Sequence, residues 1–347
     1  MAKRIAVAMS GGVDSSVAAY MLKEEGFDVV GVTLKLYPEV SRCCRLEDID
    51  DARRVAHFLD IPHYVFDFTL DFKKEVVDYF ITEYMAGRTP NPCVICNQKI
   101  KFGFLLKRVW SIGGSCLATG HYARIVEENG SCSLVAARDR GKSQEYFLSF
   151  LSEEVLKQVM FPLGDYTKAE IKQISQEVGL PLGPKKESQE VCFVAPDDNY
   201  ISFIKRHLRV DTRTGTLINS KGELMGYHKG FFCYTFGQRR RIGIRASSPH
   251  YVIGIDPIKN VVIIGPKCEA YAKTIGVTLV LWRKGDGSFP LSAKIRYRHD
   301  PAPATVEVKG SEAWVIFEEP QFAPAPGQIA VFYEGDRVVG SGKIMGP

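Results

Sequence analysis

Two patterns of hydrophobic positions divide the chain near residue 205. Before that point, short apolar runs alternate with segments whose apolar residues recur at helical spacing, at residues 14–25, 49–59 and 72–80. The apolar runs that predict buried strands are residues 5–9, 29–36, 63–68 and 116–119. This alternation predicts an α/β domain, with a parallel sheet covered by helices on both faces and ligands at the carboxyl ends of the strands.

After residue 210 the helical spacing disappears. Short β-like runs separated by Gly, Asn, Asp and Pro occupy residues 215–218, 251–255, 261–264, 277–281, 293–297, 305–308, 313–317, 329–333 and 338–344. Such spacing predicts small antiparallel sheets or barrels. We therefore expect a catalytic α/β domain over residues 1–205, a small central β-rich domain over 206–273 and a C-terminal β-barrel over 274–347.

Composition narrows the class of protein. The chain has 347 residues, of which 45% are hydrophobic, and this length is typical of two or three domains. Apolar runs all stop short of the roughly 18–20 residues that span a bilayer, and the N-terminal residues carry no signal-peptide pattern. Both observations predict a cytoplasmic protein without a membrane partner. An odd number of cysteines, nine, favours reduced thiols over a disulfide framework.

The string SGGVDSS, residues 10–16, follows the first predicted strand and leads into the first predicted helix. Glycines let the backbone approach an anion, the helix start presents N–H groups, and the serines can donate further hydrogen bonds. This combination predicts a phosphate-binding loop. Because the Walker signature GxxxxGK[ST] is absent, the loop instead resembles the pyrophosphatase loop of enzymes that cleave ATP between its α- and β-phosphates. An ordinary Gly-Ser turn is the alternative.

Two further segments carry cysteines with potential chemistry. In TPNPCVICNQKIKFG, residues 89–103, two prolines predict an extended chain, and Asn97 is placed to cap the helix that follows. A thiol at such a helix start beside lysines has a stabilised thiolate, so Cys96 is a candidate nucleophile or sulfur carrier. Structural zinc and simple core packing are the alternatives. Cys192, in SQEVCF at residues 188–193, is interpreted equally well as catalytic or as buried.

In order and approximate spacing, these segments resemble the bacterial tRNA-specific 2-thiouridylase family over essentially the whole chain. The motifs that carry the resemblance are SGGVDSS, TPNPCVICNQKIKFG, ATGHYA (118–123), KSQEYFL (142–148), SQEVCF, TFGQR (235–239) and RYR (296–298). The resemblance implies an adenine nucleotide alpha hydrolase-like α/β domain. It also implies a tRNA-uridine 2-sulfurtransferase that uses ATP to replace oxygen by sulfur at position 2 of the wobble uridine (U34), typically in lysine, glutamate and glutamine tRNAs.

The resemblance implies an ATP site with Mg²⁺. Adenylation of the uracil C2 oxygen would activate a poor leaving group and release pyrophosphate, which the loop would grip. The residues matching the family's ATP contacts are Ala8, Met9, Ser10, Gly11, Gly12, Val13, Asp14, Ser15, Leu34 and Gly120. Leu34 is interpreted equally well as a core strand residue.

The resemblance also implies a sulfur route. A persulfide on Cys192, loaded by a sulfur-donor protein of a cysteine desulfurase relay, would be attacked by Cys96, and a disulfide between the two would remain. Cys93 stands where many relatives carry Asp. A [4Fe-4S] cluster on Cys93, Cys96 and Cys192 is therefore the alternative sulfur carrier. The roles of Cys43 and Cys44 stay open.

An extruded anticodon-loop base would be the target, and Asn91, Pro92 and Cys93 match the segment that meets this base in the family. The family's tRNA contacts match Asn91, Pro92, Cys93, His121, Lys142, Ser143, Gln144, Arg296, Tyr297 and Gln328. The alternatives are that His121 is a buried histidine and that Arg296 and Arg298 form a solvated strand face. The basic run at residues 239–241, with Arg245, adds charge that would contact either phosphates or only solvent. A pyrophosphatase-loop ligase or amidotransferase acting on a small molecule, or a non-enzymatic tRNA-binding protein, would explain only part of these motifs.

Overall fold

The computed structural model describes residues 3–37, 46–183, 191–195, 198–208, 213–244 and 248–347. Cys43, Cys44, Arg245 and residues 188–190 of the SQEVCF segment lie outside the described residues. The chain forms two compact units. The first comprises Met1–Val77, Pro92–Asp197 and Asp336–Val338, and the second comprises Asp78–Asn91, Asp198–Gly335 and Val339–Pro347.

Helices and strands alternate in the N-terminal part, as the hydrophobic pattern predicts. In chain order they are β1 (Arg4–Ala8), α1 (Val13–Glu24), β2 (Asp28–Lys35), α2 (Leu46–Phe58), β3 (His63–Asp67), α3 (Thr69–Phe72), α4 (Asp78–Met85), α5 (Pro92–Ile95), α6 (Leu106–Ser111), β4 (Cys116–Thr119), β5 (Ala123–Glu128), β6 (Ser131–Ala136), α7 (Glu145–Leu148), α8 (Glu153–Leu156), β7 (Val159–Met160), α9 (Lys168–Glu177) and α10 (Tyr200–Leu208). Two π-helical segments, Lys73–Val77 and Cys96–Leu105, continue α3 and α5.

A five-stranded sheet with the order β3-β2-β1-β4-β7 forms the centre of the first unit. All four of its pairings are parallel. Ile5 and Val7 of β1 are fully buried because β1 is the middle strand, and the apolar stripes of α1, α2 and α9 pack into the same core. Burying one such aliphatic side chain stabilises the fold by about 1.5–3 kcal/mol. The predicted α/β fold is confirmed.

Strands dominate the second unit. They are β8 (Gly215–Asn219), β9 (Leu224–His228), β10 (Tyr251–Asp256), β11 (Val261–Gly265), β12 (Tyr271–Trp282), β13 (Gly287–Lys294), β14 (Ala302–Lys309), β15 (Glu312–Phe322), β16 (Ile329–Glu334) and β17 (Arg337–Gly346). Strands β8 to β11 form a sheet with the order β10-β11-β8-β9. Strands β12 to β17 form a barrel that closes where β17 pairs with β12.

Alternating burial explains the barrel. Along β14, Ala304, Val306 and Val308 face the core while their neighbours face outward, the period expected of a half-buried strand. The predicted central and C-terminal β-rich architecture is confirmed. The prediction that residues 293–297 form a strand is partly wrong, since β13 ends at Lys294 and Arg296 starts a turn closed by a 3.1 Å hydrogen bond from the His299 N–H to its carbonyl.

In the part of the chain that the structure describes, the helices are too short or too polar to cross a lipid bilayer.

Candidate active site

The loop between β1 and α1 is folded by hydrogen bonds among its own residues. Ser15 Oγ accepts a hydrogen bond from the Ser10 backbone N–H at 3.1 Å and lies 3.2 Å from Ser10 Oγ. Gly11 has a φ of +67°, which favours glycine, and Gly12 is the N-cap of α1 without a capping side-chain hydrogen bond. Gly12 thus supplies no side-chain acceptor to the first N–H groups of α1, and such N–H groups at a helix start can bind phosphate.

Gly120, which follows β4, lies directly against this loop. The parallel pairing of β1 with β4 aligns Ala8 with Thr119 and so places the two strand ends side by side. A Cβ atom on Gly120 would lie 2.7 Å from both the carbonyl carbon of Asp14 and the backbone nitrogen of Ser15. The structure thus brings Gly120 together with residues 8–15. Leu34, by contrast, is only 7% exposed, and its side chain belongs to the core of the sheet.

Asp14 is held by two side chains: Lys168, which lies outside every sequence motif, and Tyr122, which lies in ATGHYA but is not among the predicted site residues. Lys168 Nζ lies 2.7 Å from each carboxylate oxygen of Asp14, and Tyr122 Oη donates to Asp14 Oδ1 at 2.8 Å. The Lys168 side chain is only 14% exposed. Because SGGVDSS contains no cation, Lys168 brings a positive charge to a loop suited to phosphates.

A local signal for Lys168 exists in the sequence. Thr167 caps α9 and forms a capping box with Glu170, which places Lys168 at the first helical position. A lysine at a helix N-terminus is electrostatically unfavourable, because the positive end of the helix dipole lies there. An unfavourable charge at a well-defined helix start indicates another role, and Asp14 supplies the partner.

The helix that carries Cys96 begins earlier than expected. α5 starts at Pro92, whose fixed φ suits the first helical position, and runs without a break into the π-helical segment that begins at Cys96. The prediction that Cys96 lies at a helix start capped by Asn97 is therefore wrong. Cys93 lies in the first turn and is exposed, whereas Cys96 is buried. Asn97 is buried too, and its Nδ2 donates to the Phe147 carbonyl at 3.0 Å.

The two cysteine segments pack against the same short helix, α3. Phe68, the N-cap of α3, stacks on Phe104 of the Cys96 segment with a centroid distance of 6.4 Å. Phe72, the last residue of α3, meets the ring of Phe193 edge-on at 5.9 Å, and Phe193 directly follows Cys192. Tertiary packing thus attaches both segments to one element, although about 90 residues separate them in the chain.

Within the described residues, no disulfide joins the cysteines. In the same part of the chain, no three His, Cys, Asp or Glu side chains lie close enough together to hold a metal ion. Cys93, Cys96 and Cys192 therefore do not form a preassembled cluster site.

Four predicted tRNA contacts of the first unit have internal partners. The His121 ring packs against Phe102 and Phe161, and burial, with a smaller contribution from the charge of Lys101, holds its pKa well below the ordinary value. The buried hydroxyl of Ser143 accepts from the Ala137 N–H at 2.8 Å. The backbone N–H of Lys142 donates to the carbonyl of Asp139, and Gln144 exchanges hydrogen bonds with the backbone of Tyr122.

Predicted tRNA contacts of the second unit are also tied into the fold. Arg296 Nη2 donates to the carbonyls of Phe236 at 3.0 Å and of Ala323 at 2.8 Å. The Tyr297 ring lies under Lys294 Nζ at 5.5 Å, and Asn91 is 9% exposed. Gln328 Nε2 donates to two backbone carbonyls just before Asn91. The remaining two, Pro92 and Cys93, open α5.

Comparison with known proteins shows which protein families this chain is similar to. Family models described as the tRNA methyl transferase HUP domain, PRC-barrel domain and aminomethyltransferase beta-barrel domain match residues 3–196, 201–266 and 273–344. The solved chain titled U34-tRNA thiolase NcsA from Methanococcus maripaludis with its [4Fe-4S] cluster is 19% identical, with a TM-score of 0.38 over 59% of this chain and 64% of that chain. That likeness is too partial to carry an argument.

Two curated proteins match far more closely. The tRNA-specific 2-thiouridylase MnmA of Geobacter metallireducens is 46% identical over 99% of this chain and 96% of its own length. The tRNA-specific 2-thiouridylase MnmA of Moorella thermoacetica is 45% identical over 97% of this chain and 98% of its own. With this identity over nearly the full length, the chain belongs to the tRNA-specific 2-thiouridylase family.

Proposed function

We propose that this protein is an ATP-dependent enzyme that thiolates position 2 of uridine 34 in tRNA. The observation that supports this most strongly is the loop of residues 10–15, whose helix start has no capping side chain and whose Asp14 is paired with Lys168. In a family of tRNA 2-thiouridylases, a phosphate-binding loop serves adenylation of the base. Because tRNA and ATP are both present in the cytoplasm, we place the reaction there. Of the three predicted domains, the α/β domain would carry out catalysis and the β-rich domains would contribute to tRNA binding.

In the first step, the uracil C2 oxygen attacks the α-phosphate of ATP, forming a C2–O–AMP bond and releasing pyrophosphate. The residues proposed to contact ATP are those of the loop, together with Gly120 and the strand end at Leu34. Lys168 would stabilise the negative charge that develops on the leaving pyrophosphate. Asp14 offers an oxygen ligand of the kind that Mg²⁺ prefers, and Mg²⁺ bound there would supply further positive charge.

In the second step, sulfur replaces the activated oxygen. We propose that Cys192 carries a persulfide received from a sulfur-donor protein of a cysteine desulfurase relay. The Cys96 thiolate attacks the Cys192 sulfur, the S–S bond breaks, and hydrosulfide leaves. Hydrosulfide attacks C2, the C2–O bond breaks so that AMP departs with the oxygen, and the proton of the S–H group passes to solvent as the C=S bond forms. A Cys96–Cys192 disulfide remains for an external thiol to reduce. A cluster on Cys93, Cys96 and Cys192 lacks a preassembled site, so no step is assigned to it.

One experiment tests the reaction and separates it from the alternatives. Purified protein, ATP, sulfide and unmodified lysine, glutamate or glutamine tRNA should give AMP, pyrophosphate and 2-thiouridine in digested tRNA by mass spectrometry. A small-molecule ligase would cleave ATP without tRNA, and a non-enzymatic tRNA-binding protein would not cleave it at all.

The Cys192→Ser variant tests the sulfur route. With the sulfur-donor relay as the only sulfur source, it should form no 2-thiouridine and yet bind tRNA as the wild type does, because one thiol contributes little contact area. Cys132→Ser is the matched control, since Cys132 is buried in β6. Thiolated tRNA from Cys192→Ser would contradict the assignment.

A further inference from the structure

The backbone immediately before Asn91 is held by a glutamine of the barrel. Gln328 Nε2 donates to the Thr89 carbonyl at 2.9 Å and to the Pro90 carbonyl at 3.1 Å. Asn91, like these three residues, belongs to the second unit, and the chain then continues into Pro92. A single side-chain amide thus fixes two consecutive carbonyls next to a residue of the proposed target-base segment.

Neighbouring contacts hold the same two segments, residues 88–90 and 326–328, together. The Thr89 N–H donates to the Pro326 carbonyl at 2.7 Å. Gly327 has a φ of +85°, and a Cβ atom there would lie 2.9 Å from Arg88 Cβ, so glycine permits the close approach of the two segments. Arg88 is itself anchored by two hydrogen bonds to Glu83, at 2.6 and 2.8 Å.

Gln328 is in turn fixed by the backbone around it. Its N–H donates to the Ala325 carbonyl at 3.1 Å, and its carbonyl accepts from the Ile344 N–H of β17 at 2.8 Å. The amide therefore projects from a hydrogen-bonded strand end of a closed barrel. Because prolines at positions 90 and 92 restrict the backbone on both sides of Asn91, a constraint at Thr89 and Pro90 is transmitted along the chain.

We infer that Gln328 is a positioning residue, which acts by fixing Thr89 and Pro90 and so orienting Asn91 toward the target base. This inference rests on the proposed function, with residues 91–93 as the segment that meets the target base. Gln328 Nε2 is already used by two carbonyls, so its contribution to tRNA affinity is small and its contribution to turnover is large. A reacting base tolerates little misplacement, since an error near 1 Å can lower a rate by about 100-fold.

Steady-state thiolation kinetics test the inference with Gln328→Met, which removes the donors at similar length, and Gln328→Glu, which places carboxylate oxygens against two carbonyls. We expect kcat to fall roughly ten-fold or more in Gln328→Met and further in Gln328→Glu, with KM for tRNA within about two-fold of wild type. Gln321→Glu is the control, because Gln321 Nε2 donates locally to the Glu319 carbonyl, two residues away. An unchanged kcat with a raised KM would overturn the inference.

Hydrogen exchange supplies an independent measurement. The Thr89 N–H donates to the Pro326 carbonyl, two residues before Gln328, so its exchange measures how firmly this segment is held. It should exchange faster in Gln328→Met than in wild type or Gln321→Glu. A lower kcat with unchanged Thr89 exchange would also overturn the inference. If wild-type protein makes no 2-thiouridine, the proposed function fails instead, and the exchange result still decides whether Gln328 holds this segment. If Gln328→Glu does not fold, Gln328→Met alone carries both measurements.

Discussion

At the scale of single residues, one side chain that is distant in sequence brings a positive charge to the phosphate loop. Asp14 lies in the motif, whereas Lys168 lies 154 residues later and reaches both carboxylate oxygens at 2.7 Å. The pair keeps an ammonium group at the position where pyrophosphate is proposed to develop negative charge. Fixed charges of this kind act strongly because they need no reorganisation during the reaction.

Replacing this lysine should impair ATP use. In Lys168→Met, kcat/KM for tRNA-dependent ATP cleavage should fall roughly 100-fold, because a preorganised charge is lost. Release of pyrophosphate measures the effect. Lys172→Met, an exposed position one turn along α9, should stay within about two-fold of wild type. Thermal melting identifies any loss of folding, and wild-type ATP cleavage by a folded Lys168→Met protein would exclude the role.

At the scale of elements, the loop site forms where the ends of β1 and β4 lie side by side. Parallel pairing aligns the two strand ends, and Gly120 then passes within van der Waals contact of the α1 start. The carboxyl ends of neighbouring parallel strands are the general location of ligand sites in such sheets. Gly120 is therefore needed for this close packing as well as for the proposed contact with ATP.

A methyl group at this glycine should distort the loop. In Gly120→Ala, the new Cβ would lie 2.7 Å from backbone atoms of Asp14 and Ser15, which cannot move aside as a flexible side chain can. We expect a loss of stability of about 1–3 kcal/mol and at least a ten-fold loss of ATP cleavage. Chemical denaturation and pyrophosphate release measure the two effects. Gly183→Ala is the control and should match wild type, because none of the described residues comes within 4 Å of the added Cβ.

At the scale of the whole molecule, the net charge of +5 is modest, so binding of tRNA depends on where the basic residues are placed. The two arginines of the RYR motif differ in this respect. Arg296 donates to the carbonyls of Phe236 and Ala323 within the second unit, whereas Arg298 is exposed. The motif therefore combines a residue that stabilises the fold with one that faces solvent.

Single substitutions should separate these two roles. Arg298→Ala should leave the melting temperature unchanged and reduce the slope of log affinity for tRNA against log salt by about 0.7–0.9. Arg296→Ala should leave two carbonyls without their donor and lower stability by about 1–3 kcal/mol. Salt titration of tRNA binding and thermal melting measure both. A stable Arg296→Ala protein whose salt slope falls like that of Arg298→Ala would return Arg296 to the set of phosphate contacts.

The sequence by itself determined most of the elements and the location of the loop. Apolar residues at a period of 2 or 3.6 specify which side of a strand or helix is buried, and glycines and serines after a strand specify a phosphate-binding turn, because both depend on local geometry. The α/β domain, the barrel and SGGVDSS followed from these signals. The sequence prediction fails at Cys96, because Pro92, four residues earlier, suits a helix start as well as an extended chain, and the helix begins there.

Only the tertiary structure decided which distant side chains meet. Lys168 pairs with Asp14 across 154 positions, and Gln328 holds Thr89 across 239. The sequence around each of these residues does not indicate which residue is its partner. The path of the chain through the sheet and the barrel sets such contacts, and that path results from the packing of all elements at once. The sequence therefore identifies the motifs of the site, and the tertiary structure determines which distant residues contact them.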